Sequence, residues 1–107
     1  MPQPSDPQPI FRALADPTRR AIISMLAEKP MTIGAIAASF DVSRPAIAKH
    51  LKILEEGDVI RVIPKGRERI NSLNADALRR AAQWLAIFDR FWDDRLARLK
   101  MEVEKKR

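Results

Sequence analysis

The side chains best suited to a chemical task in this sequence are basic, and they lie together in residues 43–52, SRPAIAKHLK. If this stretch is helical, Ile47, Leu51 and Leu54 fall at offsets 0, 4 and 7 and form its buried face. The exposed side then carries these residues: Arg44, Pro45, Ala46, Lys49, Lys52 and, to one side, His50. Such a face suits entry into a major groove, where cations bind base edges and phosphates. The alternative is the ordinary solvated face of a helical hairpin.

This helix is the second of two predicted within residues 32–57. The first has an apolar face made of Ile33, Ile36, Ala37 and Phe40. Both helices have suitable ends, because Thr32 and Ser43 are candidate N-caps and Gly57 is a candidate C′ residue. The pair predicts a helix-turn-helix.

The composition limits the classes of function that the chain can have. With 107 residues, the chain fits one domain, and a formal charge of +6 with a pI of about 10.3 favours a polyanionic partner, nucleic acid first and an anionic membrane second. The sequence has no cysteine and one histidine, which excludes thiolate catalysis and Cys-ligated metal. It also has no glycine-rich phosphate loop. We therefore expect no enzyme, no metal and no cofactor.

Before the helix-turn-helix, residues 1–9 are rich in proline and are predicted to form a disordered arm. A short helix follows with Ile10, Phe11 and Leu14, and then a helix over residues 17–27 that Asp16 caps. The sequence contains neither a secretory signal nor an apolar run near the roughly 20 residues of a membrane span. A soluble cytoplasmic protein without membrane contact is the default expectation.

After Gly57 the pattern changes to short β-branched stretches. Residues 59–63 and 68–73 are predicted strands, joined by a turn over residues 64–67, and residues 61–69 have a net charge of +3. A basic hairpin directly after a recognition-type helix is typical of a winged helix, whose wing reaches the phosphate backbone or the minor groove. The alternative is a solvated basic turn.

The remaining residues, 75–107, predict one long helix, uninterrupted from about residue 75 to 104, and a short basic tail. Apolar residues recur at steps of 3 and 4, close to a coiled-coil seam: Leu78, Ala81, Leu85, Phe88, Trp92, Leu96, Leu99 and Val103. Residues 10–74 offer too little surface to hide this row, so we interpret the helix as a dimerisation element. The alternatives are a ligand pocket formed by Trp84, Phe88, Phe91 and Trp92, or a membrane-surface helix, which the mixed charges of its polar face oppose. The predicted fold is mainly α with a small β-hairpin, a winged helix-turn-helix followed by a long dimerisation helix.

The segments FRALADPTRRAIISML, SRPAIAKHLKILEEGDVI and IPKGRERINSLN resemble the ArsR-type winged-helix repressors of bacteria. The tail WLAIFDRFWDDRLARL resembles the metal-independent, SdpR-like branch. The resemblance implies a homodimeric DNA-binding regulator, usually a repressor, that pairs through its first and last helices. It implies DNA contacts at Ser43, Arg44, Ala46, Lys49 and His50 in the recognition helix and at Lys65, Arg67 and Arg69 in the wing. His50 is expected to contact DNA or to pack locally. Cysteines that bind metal in other members are absent, because Thr32 and Gly34 stand in their place.

The resulting hypothesis is a homodimer on double-stranded DNA, whose recognition helices enter major grooves about 34 Å apart on an inverted repeat. Thr32, Arg19 and Arg20 are predicted phosphate contacts, and the dimer contacts are predicted at Leu85, Phe88, Trp92, Leu96 and Leu99. The alternatives are a non-specific architectural DNA- or RNA-binding protein and an interaction module without nucleic acid. The sequence identifies neither an operator nor an effector ligand.

Overall fold

The computed structural model describes residues 7–105. Its helices are α1 (Gln8–Leu14), α2 (Pro17–Glu28), α3 (Ile33–Ala37), α4 (Arg44–Glu56), α5 (Ala75–Ala86) and α6 (Asp89–Lys105). Its strands are β1 (Met31–Thr32), β2 (Ile60–Lys65) and β3 (Glu68–Leu73). The mainly helical fold with a basic hairpin is the one predicted. Residues 8 and 9 of the predicted arm are helical, and residues 1–6 and 106–107 lie outside the described part.

The hairpin is part of a three-stranded antiparallel sheet with the order β1-β3-β2. The short strand β1 adds to the predicted hairpin, with Met31 opposite Asn71 and Thr32 opposite Ile70. Asn71 is buried, and its Nδ2 donates a hydrogen bond to the carbonyl oxygen of Met31 at 3.2 Å. The wing is therefore anchored directly to the start of the helix-turn-helix.

The core confirms the predicted apolar faces. Ile36 of α3 and Ile47 and Leu54 of α4 have no exposed surface, and Ile22 of α2 packs with them. Val59 and Ile60 close the core from the sheet side, and Leu51, Ala77 and Ala81 are also buried in it. This burial fixes the angle at which α4 presents its opposite side to solvent.

Three predicted N-caps are confirmed. Asp16 accepts a hydrogen bond from the backbone N–H of Arg19 at 3.1 Å, Thr32 from Ala35 at 3.2 Å, and Ser43 from Ala46 at 3.3 Å. Each bond satisfies an N–H that has no partner inside its own helix. The starts of α2, α3 and α4 are thus set by local sequence.

The end of α4 differs from the expectation for a C′ glycine. Gly57 has a φ of −81°, and the next residue, Asp58, adopts the left-handed conformation with a φ of 58°. Asn74 Nδ2 donates to the Asp58 carbonyl at 2.8 Å and to its carboxylate at 3.2 Å. Gly57 is needed for a different reason, since a Cβ there would lie 2.7 Å from the carbonyl oxygen of Pro9. The glycine lets α1 approach the end of α4.

The prediction of one uninterrupted C-terminal helix is wrong. The chain forms α5 and α6, separated by a tight turn at Ile87 and Phe88. There the N–H of Ile87 donates to the carbonyl of Trp84 and that of Phe88 to Leu85, so that the bonds span three residues instead of four. The break contains neither glycine nor proline, so no helix-breaking residue marks it in the sequence. In residues 7–105, no helix is both long enough and apolar enough to cross a membrane.

Candidate nucleic-acid interface

The side of α4 opposite the core presents the predicted recognition residues unevenly. Ser43, Arg44 and Lys49 are exposed, while Ala46 is half-buried. Within residues 7–105, the side chains of Arg44 and Lys49 have no hydrogen-bond or ion-pair partner. The hydroxyl of Ser43 is already used as the N-cap of the helix. Arg44 and Lys49 are therefore available to a ligand outside the protein.

His50 is placed differently, on the side of α4 that faces the start of α2. Its Nδ1 lies 3.3 Å from Nη1 of Arg19 and 3.9 Å from Oδ2 of Asp16, and its side chain is 23% exposed. Of the two roles predicted for His50, this geometry supports local packing. The backbone N–H of Arg19 lowers the pKa of Asp16, and the neighbouring His50 lowers it further.

Arg19 and Arg20, the predicted phosphate contacts, bind the protein's own backbone. Arg19 donates from Nε to the carbonyl of Ala13 at 2.9 Å and from Nη2 to that of Arg12 at 2.8 Å. Arg20 donates from Nη1 to the carbonyl of Leu14 at 2.7 Å. Carbonyls at the end of a helix have no partner within it, and cations are favoured there. In this structure both guanidinium groups hold the end of α1 against α2, and a phosphate contact by either stays a prediction.

The wing consists of β2 and β3, paired from Ile60 opposite Leu73 to Lys65 opposite Glu68. Gly66 begins the two-residue turn with a φ of 64°, a position where a type II′ hairpin turn takes glycine. The side chains of Lys65, Arg67 and Arg69 are exposed. The three predicted cations of the wing thus lie in the turn or within two residues of it, exposed to solvent.

The wing and α4 together enclose a cleft of about 410 Å³, which we call the arginine cleft. It is lined by Thr32, Ile33, Gly34, Arg44, Arg67, Glu68 and Arg69. Four of these seven were predicted DNA contacts from two separate parts of the sequence. A second groove of about 210 Å³ lies beside it, and Ile33 and Arg69 border both.

The predicted dimerisation residues form an exposed apolar surface. Leu85, Phe88, Trp92, Leu96 and Leu99 are between 42% and 61% exposed. The surface continues onto α1, because the ring of Trp84 packs edge-on against Phe11 at 5.5 Å and lies 5.2 Å from Phe88. The first and last helices, predicted to pair with a second chain, are thus neighbours on one face.

A recognition helix fixed by a helical core and followed directly by a basic two-stranded wing defines a winged helix-turn-helix protein. A family model described as a helix-turn-helix domain matches residues 14–63. The chain is 40% identical over 79 residues to the transcriptional repressor SdpR of Bacillus subtilis, a match that covers 74% of this chain and 88% of that protein. It is also 40% identical over 86 residues to the HTH-type transcriptional regulator Rv2034 of Mycobacterium tuberculosis, covering 80% of this chain and 78% of that one.

Solved structures agree. The crystal structure of the ArsR family transcriptional regulator RHA00566 superposes with a TM-score of 0.74 at 36% identity, covering 80% of this chain and 94% of that one. An ArsR-like transcriptional regulator from Rhodococcus sp. RHA1 gives a TM-score of 0.74 at 33% identity, covering 89% and 90%. The chain belongs to the ArsR family of winged helix-turn-helix transcriptional regulators, in its SdpR-like branch. It is a transcriptional regulator with a DNA-binding helix-turn-helix.

Two features of the site were missed from sequence. The contact of His50 with Asp16 and Arg19 joins residues more than 30 positions apart, and no local spacing signals it. The convergence of Arg44 with Arg67 and Arg69 has the same origin, since it depends on how the sheet packs beside α4. Only the placement of Arg69 had a signal in the sequence. Side chains alternate along β3, and this alternation puts Arg69 on the face opposite to that of its two neighbours.

Proposed function

We propose that this chain is a homodimeric transcriptional repressor that acts in the cytoplasm, binds an inverted-repeat operator in double-stranded DNA and uses no metal. The observation that carries the proposal is the set of unpaired cations on α4 and the wing, on two elements that border one cleft. Cations do not stabilise one another in water, whereas a DNA backbone offers each of them a negatively charged phosphate. The repressor role follows the relative SdpR, which is named as a transcriptional repressor.

In the proposed complex α4 enters the major groove with its N-terminal half. Ser43, Arg44, Ala46 and Lys49 approach the DNA, and Lys49 has the clearest access to base edges because it is exposed and does not border the cleft. His50 holds α4 against α2. Lys65, Arg67 and Arg69 of the wing and the hydroxyl of Thr32 contact phosphates.

A second copy of the chain covers the apolar surface of α5 and α6 in this proposal. Trp92 and Leu96 are 59% and 61% exposed, although large apolar side chains gain about 1.5–3 kcal/mol each when they are fully buried. Pairing through this surface and through Phe11 of α1 relates two recognition helices by a two-fold axis. An operator with matching two-fold symmetry then has half-sites about 34 Å apart.

The proposal is tested by selecting bound sequences from a pool of random duplexes and titrating the winner against a scrambled duplex. We expect an inverted repeat that binds at least about a thousandfold more tightly than the scrambled control. If each subunit neutralises three to five phosphates, the log–log salt slope is about −5 to −9. A slope near −1 contradicts the model.

Each alternative gives its own result in this experiment. Equal, salt-sensitive binding to both duplexes indicates an architectural DNA-binding protein. No binding to either indicates an interaction module, whose activity would survive the double substitution of Arg44 and Lys49 to Ala.

A further inference from the structure

The pairing of β2 with β3 sorts the wing cations onto two faces. Side chains alternate along a strand, so Arg69 shares a face with Asn71, which is buried. Arg69 sits opposite Pro64 and Asn71 sits opposite Val62, and both Val62 and Asn71 border the groove beside α4. Lys65 is paired with Glu68, on the other face of the hairpin. The wing therefore turns Arg69 toward α4 and Lys65 away from it.

Arg44 likewise lies on the side of α4 that faces the wing. Arg44, Ala48 and Lys52 are spaced by four residues and form one row along the helix. Ala48 and Lys52 border the groove shared with Val62 and Arg69, and Arg44 continues this row into the arginine cleft. Lys49 follows Arg44 by five residues, about 140° further around the helix. Of the three exposed cations of α4, Arg44 and Lys52 thus lie on the side of the wing, and Lys49 lies on a different side of the helix.

The arginine cleft concentrates positive charge without compensating it. Three arginines, Arg44, Arg67 and Arg69, border it together with one acidic residue, Glu68, whose pairing with Lys65 places its side chain on the other face of the hairpin. In the part of the chain from residue 7 to 105, none of the three arginines has a hydrogen-bond or ion-pair partner. Guanidinium groups match phosphate oxygens in geometry as well as in charge. Thr32 also borders the cleft, and its Oγ1 accepts from the N–H of Ala35, which leaves its hydroxyl hydrogen for an external acceptor.

We propose that Arg44, Arg67 and Arg69 clamp a single phosphodiester of the DNA backbone, so that Arg44 supplies affinity while Lys49 reads bases. The inference rests on the proposed function and makes it more specific. The cleft, at about 410 Å³, is many times the roughly 30 Å³ that one water occupies in the liquid, so a phosphodiester fits. The clamp fixes the register of α4 in the groove, because it ties the first turn of the recognition helix to the backbone contact of the wing.

The test uses the selected operator made with one methylphosphonate at a time, each of which removes the charge of one phosphate. For the wild-type protein we expect one position in each half-site where this change weakens binding about ten- to a hundredfold, as for a charge-assisted contact. In Arg44→Ala, Arg67→Ala and Arg69→Ala the same position becomes less sensitive, because one of the three cations that contact its charge is missing. Lys49→Ala and Lys65→Ala, matched removals of one cation on α4 and on the wing, keep full sensitivity.

Two further readouts separate the clamp from base reading. Arg44→Ala is expected to weaken binding uniformly across operators with single base-pair changes and to reduce the salt slope by about 1 per subunit, whereas Lys49→Ala relaxes preference at particular base pairs. The losses in Arg44→Ala and Arg69→Ala are expected to be less than additive, while those in Arg44→Ala and Lys49→Ala add.

The clamp is overturned if the three arginine variants lose sensitivity at different phosphates, or if Arg44→Ala changes base preference at one position. Failure of the proposed function looks different. Wild-type protein that binds DNA without operator preference overturns the specific repressor, while the salt slope of Arg44→Ala still measures the clamp. Wild-type protein that binds no duplex overturns both.

Discussion

Two regions of this molecule differ in how far their apolar side chains are buried. Up to Ala81, each helix buries residues in one core, with Ile22, Ile47 and Leu54 completely enclosed. From residue 82 to 105 every residue is exposed, although this stretch contains Trp84, Phe88, Phe91 and Trp92 among its large side chains. An amphipathic helix needs a partner for its apolar side. The first region finds that partner within the chain, whereas the second finds none among residues 7–105 apart from the contact of Trp84 with Phe11.

The contrast teaches that the surface proposed to contact DNA and the surface proposed to pair two chains are separate on this chain. The arginine cleft is positioned by the closed core, through α4 and the sheet. The apolar surface of α5 and α6 is positioned by the first turns of α5, where Ala77 and Ala81 are buried in the core, and by the contact of Trp84 with Phe11 of α1. We therefore expect substitutions in the two regions to impair different properties of the protein.

The largest effect is expected from Trp92→Glu, which puts a charge in the middle of the exposed apolar row of α6. Burying an unpaired carboxylate in an interface is strongly unfavourable, so the protein should become monomeric. Operator affinity should fall by at least about a hundredfold, because the two half-sites are no longer bound as one unit with a high effective concentration. Sedimentation velocity and operator titration measure the two changes.

Ala97→Glu is the matched control, since it introduces the same side chain at an exposed position about 140° around α6 from Trp92. It should remain dimeric and bind the operator normally. Monomers in Ala97→Glu as well, or a stable dimer in Trp92→Glu, would show that a different surface pairs the chains.

A pair of leucine truncations sharpens the comparison. Leu54→Ala removes a side chain with no exposed surface and should lower the free energy of unfolding by about 2–5 kcal/mol. Leu96→Ala alters a side chain that is 61% exposed in the single chain, so its effect should arise only in the dimer. Thermal unfolding at several protein concentrations separates them, because the cost of Leu96→Ala depends on the dimer that forms while that of Leu54→Ala persists in the monomer. Equal, concentration-independent losses would remove the distinction between the regions.

Gly57→Ala probes the place where α1 joins the core. A Cβ at this position would lie 2.7 Å from the carbonyl oxygen of Pro9, so backbone must move to admit it. We expect a loss of about 1–3 kcal/mol in the free energy of unfolding, measured by urea denaturation. Because α1 also carries Phe11 to the apolar surface, the substitution should weaken dimerisation too. Unchanged stability would mean that α1 approaches α4 less closely.

The smallest expected effect is on the stability of the protein at acid pH. The N–H of Arg19 and the nearby His50 lower the pKa of Asp16 below its ordinary 3.8, so its ionised form is favoured by folding. Its contribution is therefore complete above the ordinary pKa and is lost as the pH falls through the lowered pKa of the folded state. Melting temperatures at decreasing pH should fall less steeply for Asp16→Asn than for the wild type. If the melting temperatures of both proteins fell in parallel with pH, Asp16 would not contribute to the loss of stability in acid.

Local sequence signals predicted the parts of the fold that are set locally. The N-caps at Asp16, Thr32 and Ser43 and the buried face of α4 follow from residue type and helical spacing, and the wing follows from β-branched residues around a glycine turn. The break at Ile87 and Phe88 was not predictable in this way, because its bonds involve no residue that disfavours a helix.

The cations of the site illustrate the same limit. Charge alone does not distinguish Arg19 and Arg20 from Arg44 and Arg69, and all four were predicted to contact DNA. Arg19 and Arg20 hold carbonyls at the end of α1, whereas Arg44 and Arg69 face a cleft without a partner in the described residues. The difference depends on tertiary packing between elements that are far apart in sequence.

Sedimentation velocity of the wild-type protein mixed with its selected operator duplex tests the central claim most directly. We predict a dimer in the absence of DNA and one discrete complex that contains two chains per duplex. A complex with one chain, or loading that increases with duplex length regardless of sequence, would contradict a repressor that joins two recognition helices through its C-terminal helices.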